Sequence, residues 1–187
     1  MVKQNSICLF CSKGCKLAFT KDLVFVRRES LKKYVEKYPK AQFLEGKRPW
    51  AVKCDVALPT ACENELNGED ARTLVSNGCY CVVEGANMPT TPEGVEVFMK
   101  AKVLYSPGKA SNAGGVATSG LEMSQNSQRL SWTREEVDSY LLRIMKSIHN
   151  SCVETAKEYN TPGNYVNGAN IAGFKKVADA MLAQGLV

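Results

Sequence analysis

The spacing of apolar residues in the N-terminal part of the chain is typical of helices. Between residues 17 and 38 apolar side chains recur every three or four positions, and the pattern stops before Pro39. This periodicity predicts one or two amphipathic helices.

A different pattern follows, in which short apolar runs alternate with helical segments. The runs at 52–59, 80–85 and 102–108 are rich in β-branched residues and predict three buried strands. Helical spacing appears between them, at 69–77 and after Thr91, which can cap a helix that opens with proline. Alternating strands and helices predict an α/β fold with a parallel sheet and right-handed crossovers.

The last third of the chain predicts helices and no further strand. A glycine-dotted loop at 108–115 leads into a helical segment at 116–129. Thr133 and Glu136 have the spacing of a capping box. The helix after it has one apolar face, expected to be buried, formed by Val137, Tyr140, Leu141, Ile144, Ile148, Cys152 and Ala156. A second loop is predicted at 160–170 and a last helix at 171–184.

Composition and charge narrow the class of protein. The 187 residues are 44% hydrophobic and 23% charged, which is typical of a globular protein and excludes a disordered one. The net charge of +5 is scattered among acidic residues, so we expect no nucleic-acid partner. No apolar run approaches the roughly 20 residues of a membrane span, and no signal peptide is recognisable, so we expect no membrane partner and a cytoplasmic location.

The eight cysteines are expected to be thiols, because a cytoplasmic compartment is reducing. Cys8, Cys11 and Cys15 have a spacing that zinc or an iron–sulfur cluster could use. A fourth ligand is missing nearby, and the only histidine, His149, falls within the long helix predicted after Thr133. The residues therefore favour a structural role for these cysteines, and we expect no metal.

The segments that follow the three predicted strands are rich in small and polar residues. They read LPTACENEL, EGANMPTTP and SPGKASNAGG. In open α/β sheets the carboxyl ends of the strands form the ligand-binding crevice, and small residues let a backbone approach a ligand closely. The three loops together predict a binding site at this edge of the sheet.

Several strings closely resemble glutamate dehydrogenase of the small hexameric class, in its C-terminal half. They are WAVKCDVALPTACENELNGEDA, VVEGANMPTTPEGVEVF, VLYSPGKASNAGGVATSGLEMSQNS, LSWTREEVD and NGANIAGFKKVADAMLAQG. The resemblance runs from about residue 16 to residue 187, and it leaves 1–15 as a divergent N-terminal segment unlike the family. It implies a partial Rossmann-like dinucleotide-binding domain at 16–130 that contains the later strands of the sheet, followed by a C-terminal helical segment at 131–187 that packs back on it.

This resemblance also implies an activity and its partners. Glutamate dehydrogenases oxidise L-glutamate to 2-oxoglutarate and ammonia with NADP or NAD, and they assemble as homo-hexamers. Their catalytic lysine and aspartate and their glycine fingerprint for the dinucleotide precede the part that is matched here. The resemblance therefore implies no catalytic residue in this chain, which we expect to be an inactive fragment by itself.

Site residues follow from the resemblance position by position. Ala61 and Asn87 match cofactor-binding positions, beside the nicotinamide ribose and facing the nicotinamide. Asn112, Val116 and Ser119 match positions that line the glutamate pocket. There Val116 would pack on the substrate methylenes, and Ser119 would hydrogen-bond the side-chain carboxylate.

The first strand-end loop departs from the family's usual LPCATQNEL. Thr60 stands where cysteine is usual, Cys62 where threonine is usual and Glu63 where glutamine is usual. These changes remove a hydroxyl and bring a negative charge toward the cofactor side. Two alternatives of another class stay open, a non-catalytic truncated nucleotide-domain module and a small thiol-metal protein that uses Cys8, Cys11 and Cys15.

Overall fold

The computed structural model describes residues 7–10 and 14–185. The chain forms two compact units, Met1–Val52 and Lys53–Val187. In the described residues no helix has the length and apolar character needed to cross a bilayer.

The first unit combines short helices with an antiparallel strand pair. Its helical elements are α1 (Leu17–Lys21), a π-helical stretch (Asp22–Val26), two 3₁₀ turns (Leu31–Lys33 and Pro49–Ala51) and α2 (Tyr34–Lys37). Leu23, Tyr34 and Ala41 are buried at its centre. The helices predicted before Pro39 are thus confirmed, although they are shorter and more broken than a regular period suggests.

The strand pair consists of β1 (Ile7–Phe10) and β2 (Gln42–Glu45), which run antiparallel with Ile7 opposite Glu45. The sequence analysis missed both strands. In β2 the two apolar residues are adjacent and both half-buried, so the alternation that identifies a strand is absent.

The second unit contains the predicted parallel sheet. Its strands β3 (Val56–Ala57), β4 (Cys81–Val83) and β5 (Leu104–Ser106) lie in that order, each parallel to the next. Between them run α3 (Gly68–Ser76) and α4 (Pro92–Lys100). The α/β fold class with a parallel three-stranded sheet is therefore confirmed.

Four further helices complete the second unit, and three of them overlap segments that were predicted as loops. They are α5 (Gly108–Ser111), α6 (Gly114–Gln128), α7 (Arg134–Glu158) and α8 (Tyr165–Gln184). The predicted loop at 108–115 is largely helical, and the predicted loop at 160–170 gives way to α8 at Tyr165. Glycine content suggested loops at both places, but tertiary contacts override its low helix propensity.

Side-chain caps fix where three helices begin. Asn67 and Asp70 form a capping box on α3, and the Thr91 hydroxyl accepts a hydrogen bond from the N–H of Gly94 in α4. The predicted capping box of α7 is confirmed, since the carboxylate of Glu136 accepts from the N–H of Thr133 at 2.7 Å. Hydrogen bonds from the Thr133 backbone and hydroxyl lower the pKa of Glu136.

The apolar face of α7 is less buried than the sequence analysis predicted. Only Cys152 and Ala156 are fully buried, and Tyr140 is 38% exposed. The buried pair lies where α8 crosses α7, and Ala110 of α5 and Ala169 of α8 pack in the same region. The N-terminal half of that face has no comparable cover within the described residues.

Gly168 sets the distance between α7 and α8. A Cβ placed on Gly168 would lie 2.0 Å from the carbonyl oxygen of Cys152 and 3.2 Å from the Cβ of Ala156. Only glycine permits this contact, because the neighbour is backbone and cannot rotate away. The two helices therefore touch through their main chains.

We predict that Gly168→Ala destabilises the chain by about 1–3 kcal/mol, the usual cost of overpacking. The matched control is Gly173→Ala in the same helix, where a Cβ meets nothing within 4 Å. Higher helix propensity should make that variant more stable by about 0.5–1 kcal/mol. Urea unfolding followed by circular dichroism measures both, and equal effects of the two substitutions would contradict the assignment.

Candidate functional site

The three loops at the carboxyl ends of the parallel strands are joined to one another by backbone hydrogen bonds. The N–H groups of Gly85 and Ala86 donate to the carbonyl of Pro59 at 2.9 and 3.2 Å. The N–H of Asn64 donates to Met88 at 3.0 Å, which ties the first loop to the second a further time. The predicted meeting of these loops is thus present in the structure.

Two glycines make this close approach possible. A Cβ on Gly85 would lie 2.5 Å from Cγ2 of Thr60, and a Cβ on Gly108 would lie 2.7 Å from the carbonyl oxygen of Ala86. Contacts under 3.0 Å are essentially never seen for real Cβ atoms. Gly85 therefore lets the second loop pack closely on the Thr60 side chain of the first, and Gly108 lets the third loop approach the backbone of the second.

A buried carboxylate, that of Glu84, holds the second and third loops together. Glu84 is only 4% exposed. One carboxylate oxygen accepts from the Tyr105 hydroxyl at 2.5 Å, and the other accepts from the N–H of Gly108 at 2.6 Å. The Ser111 hydroxyl donates to the backbone carbonyl of Glu84 at 2.5 Å. Hydrogen bonds to a carboxylate are stronger than bonds between neutral groups, so the two bonds to the Glu84 carboxylate fix the geometry of both loops.

The surroundings of Tyr105 keep its hydroxyl protonated. Burial raises its pKa well above the usual range, and the hydrogen bond and negative charge of Glu84 raise it further. The phenol therefore remains protonated and continues to donate. The sequence analysis missed both residues, although an acidic residue directly after an apolar strand is a signal that could have identified Glu84.

Asn87 and Asn112, two of the predicted site residues, lie in contact. The side-chain amide of Asn112 donates to Oδ1 of Asn87 at 2.7 Å and to the carbonyl oxygen of Ala86 at 3.2 Å. Both amide hydrogens of Asn112 are thereby used, and its Oδ1 remains an acceptor. Because Oδ1 of Asn87 faces Asn112, the NH₂ group of Asn87 is directed elsewhere and can donate to a ligand.

A cavity of about 690 Å³ lies beside this pair. Asn87, Asn112, Glu84 and Tyr105 contribute to its wall, together with apolar residues such as Val95 and Val166. Its size is within the range of small-molecule sites, and a mainly apolar wall with a few converging polar groups is typical of them.

The remaining predicted site residues lie outside the wall of this cavity. Ala61 is exposed, and its N–H donates to the carboxylate of Glu65 at 2.8 Å. Val116 and Ser119 are exposed on α6, three residues apart and so on one face of the helix; Val116 is 74% exposed. Met123, one turn further along, is exposed as well.

The glycines at the start of α6 are not explained by packing within the described residues. A Cβ on Gly115 would meet nothing within 4 Å, and one on Gly114 would make ordinary contacts at 3.6 and 3.7 Å with Met145 and Leu141. The start of α6 thus leaves open space beside the Cα of Gly115.

The cysteine spacing near the N-terminus is only partly within the described residues. Cys11 lies outside them, Cys8 lies on β1 and Cys15 is exposed. Among residues 7–10 and 14–185, no group of three or more His, Cys, Asp or Glu side chains is arranged to hold a metal ion. His149 stacks on Tyr165 with ring centroids 5.7 Å apart, and it is exposed, as expected for a helix-surface residue.

Fold and site together define an α/β protein whose ligand site is formed by loops at the carboxyl ends of parallel strands. Residues 2–185 match the model of the Glutamate/Leucine/Phenylalanine/Valine dehydrogenase family. The chain belongs to this family, which confirms the resemblance seen in the sequence.

Individual relatives agree with this assignment. The chain is 58% identical over 172 residues to a glutamate dehydrogenase of Bacteroides thetaiotaomicron, covering 92% of this chain and 38% of the relative. It is 58% identical over 171 residues to an NAD(P)-specific glutamate dehydrogenase of Xylanibacter ruminicola, covering 91% and 38%. The chain thus spans well under half the length of these curated relatives.

The fold agrees with a solved structure as well. The crystal structure of Plasmodium falciparum glutamate dehydrogenase superposes with a TM-score of 0.91 at 41% identity. The match covers 96% of this chain and 39% of that one. The partial Rossmann-like fold implied by the resemblance is therefore confirmed.

We predict that Tyr105→Phe destabilises the chain by about 1–3 kcal/mol, because it leaves one oxygen of a buried carboxylate without its donor. Tyr80→Phe is the matched control, since Tyr80 is 57% exposed. The midpoint of urea unfolding measures both variants. If the two substitutions have equal effects, Glu84 does not depend on the Tyr105 hydroxyl.

Proposed function

We propose that this chain is the C-terminal part of a glutamate dehydrogenase. The reaction is oxidative deamination of L-glutamate to 2-oxoglutarate and ammonia with NADP or NAD. The observation that carries the proposal is the hydrogen-bonded pair of Asn87 and Asn112 at the joined strand ends, in a chain of this family. The name of the Xylanibacter ruminicola relative includes both forms of the cofactor, so NADP and NAD stay open.

The residues at this edge of the sheet fit a nicotinamide dinucleotide. The nicotinamide, when bound, supplies the hydride chemistry. Asn87 has the donor that a carboxamide oxygen needs, and Asn112 holds it in one orientation. Ala61 lies exposed on the neighbouring first loop and offers only a methyl group, so it leaves room for a ribose.

The exposed face of α6 fits the substrate. Val116 presents an apolar surface for the methylenes of glutamate, and Ser119 presents a hydroxyl for its side-chain carboxylate. Within residues 14–185 the Ser119 side chain forms no hydrogen bond, so its donor is available to a ligand. The free acceptor oxygen of Asn112 suits an amino group, and the open space at Gly115 lets substrate approach the helix start.

These residues bind and orient the cofactor and the substrate, and none of them transfers a proton. A general acid–base group and a substrate clamp are needed to stabilise the transition state. The resemblance places both in the portion of the family's enzymes that this chain does not match. We therefore propose that the chain alone has no dehydrogenase activity and acts within a larger homo-oligomeric enzyme, a hexamer by the same resemblance.

A chimera tests the proposal directly. In it this chain replaces the matching 38% of the Bacteroides thetaiotaomicron relative. We expect NADPH or NADH consumption with 2-oxoglutarate and ammonium, while the isolated chain gives only the blank rate. A folded chimera without activity, beside an active parent enzyme, would favour a non-catalytic nucleotide-domain module.

In the active chimera, we predict that Ser119→Ala raises KM for glutamate by about 10- to 150-fold. A hydrogen bond to a charged group contributes roughly 1.5–3 kcal/mol, which corresponds to this factor. KM for the cofactor should change little. Ser124→Ala is the matched control on the same helix, because its hydroxyl donates to the carbonyl of Gly120 within the helix. Equal changes in both KM values would contradict the role of Ser119.

Asn87→Ala should show the opposite selectivity. We predict a larger rise in KM for the cofactor than for glutamate, by about 2- to 13-fold, which corresponds to one ordinary hydrogen bond of roughly 0.5–1.5 kcal/mol. Initial rates with each substrate varied in turn measure the difference. A rise confined to glutamate would move Asn87 from the cofactor to the substrate side of the site.

A further inference from the structure

Three cysteines lie together at the amino ends of two neighbouring strands. Cys54 lies two residues before β3, Cys79 lies two residues before β4, and Cys81 is the first residue of β4. All three are free thiols. The candidate ligand site lies at the opposite, carboxyl edge of the sheet, so these thiols are not part of it.

The backbone brings Cys54 and Cys79 side by side. In the parallel pairing Val56 lies opposite Cys81, and the N–H of Tyr80 donates to the carbonyl of Asp55 at 3.0 Å, just ahead of that pair. Paired strands are about 4.7–4.9 Å apart, which is within the Cα separations of about 4.4–6.8 Å that disulfides span. The main chain therefore needs little movement to join them.

Residues opposite each other in paired strands point to the same face of a sheet, so this register places the side chains of Cys54 and Cys79 on one face. The thiol of Cys79 donates to the carbonyl of Cys81 at 3.3 Å. Cys54 is half-buried, whereas Cys79 is only 4% exposed. A reagent from solvent thus reaches Cys54 first, and Cys79 lies directly behind it.

The surroundings of Cys54 lower its reactivity. Burial raises the pKa of Cys54, and the nearby Cys79 and the negative charge of Asp55 raise it further. The reactive thiolate is therefore a minor form at neutral pH, and its oxidation is slow.

We propose that Cys54 and Cys79 form an oxidation site, in which a peroxide oxidises the two thiols to a disulfide. The Cys54 thiolate attacks the peroxide, the O–O bond breaks, and Cys54 becomes a sulfenic acid. The sulfur of Cys79 then attacks the sulfur of Cys54, an S–S bond forms, and the S–O bond breaks with loss of water. In total two thiols lose two electrons and two protons, and hydrogen peroxide becomes two molecules of water.

The disulfide would close a loop that contains β3 and α3 and ends just before β4. Cross-linking a loop of this length removes conformational freedom from the unfolded chain. We therefore expect oxidation to raise Tm by ~10 °C, reversibly with a reductant. The ligand-site loops lie beyond the far ends of the same strands and keep their hydrogen bonds.

The experiment treats the reduced full chain with hydrogen peroxide, alkylates the remaining thiols and maps the digested peptides by mass spectrometry. We expect a peptide pair joined through Cys54 and Cys79, lighter by two hydrogens, that disappears on reduction. This result needs no variant. A link between Cys54 and Cys81, a link between two chains, or full alkylation of both residues would overturn the proposal.

Two variants separate the roles of the pair. In Cys79→Ala we expect peroxide to leave Cys54 as a sulfenic acid that dimedone traps, with no cross-link and no rise in Tm. Cys62→Ser is the matched control, because Cys62 is half-buried in the first strand-end loop and outside the cluster. That variant should still form the Cys54–Cys79 link. Equal loss of the link in both variants would contradict the assignment.

Discussion

The carboxylate of Glu84 is the constraint on which the candidate site depends. A buried charge is tolerated only where its oxygens receive hydrogen bonds, because removing it from water costs several kcal/mol. Tyr105 and Gly108 supply those bonds from the third strand and the loop after it. Both donors therefore have to be in place, and the loop that carries Asn112 is held against the loop that carries Asn87.

The sequence predicted the architecture at this edge better than the interactions within it. Strand runs and turn residues identified a parallel sheet and three adjoining loops, because hydrophobic periodicity and small residues report directly on burial and on turns. The partners of Glu84 lie more than 20 residues away along the chain. No local pattern encodes that pairing, so only the structure shows it.

Two loop predictions were wrong because contacts between residues distant in sequence are also invisible to local patterns. The glycine-rich segments at 108–115 and 160–170 were predicted as loops, yet α5, α6 and α8 use them. At Gly168 the missing side chain lets a helix approach the main chain of α7, with a would-be Cβ 2.0 Å from a carbonyl oxygen. Glycine lowers helix propensity locally, but here a contact between distant helices decides the conformation.

Large apolar side chains are exposed on two helices of the second unit, α6 and α8. Val116 and Met123 on α6 and Phe174, Val177 and Met181 on α8 leave more than half of each side chain exposed. Apolar residues at helical spacing are ordinarily covered, by ligand or by protein surface. The face of α6 carries Ser119 and adjoins the open space at Gly115, and in the proposed function a bound substrate covers part of it. The face of α8 presents three large apolar side chains, which favours a protein surface as its cover and agrees with the proposal that the chain acts within a larger enzyme.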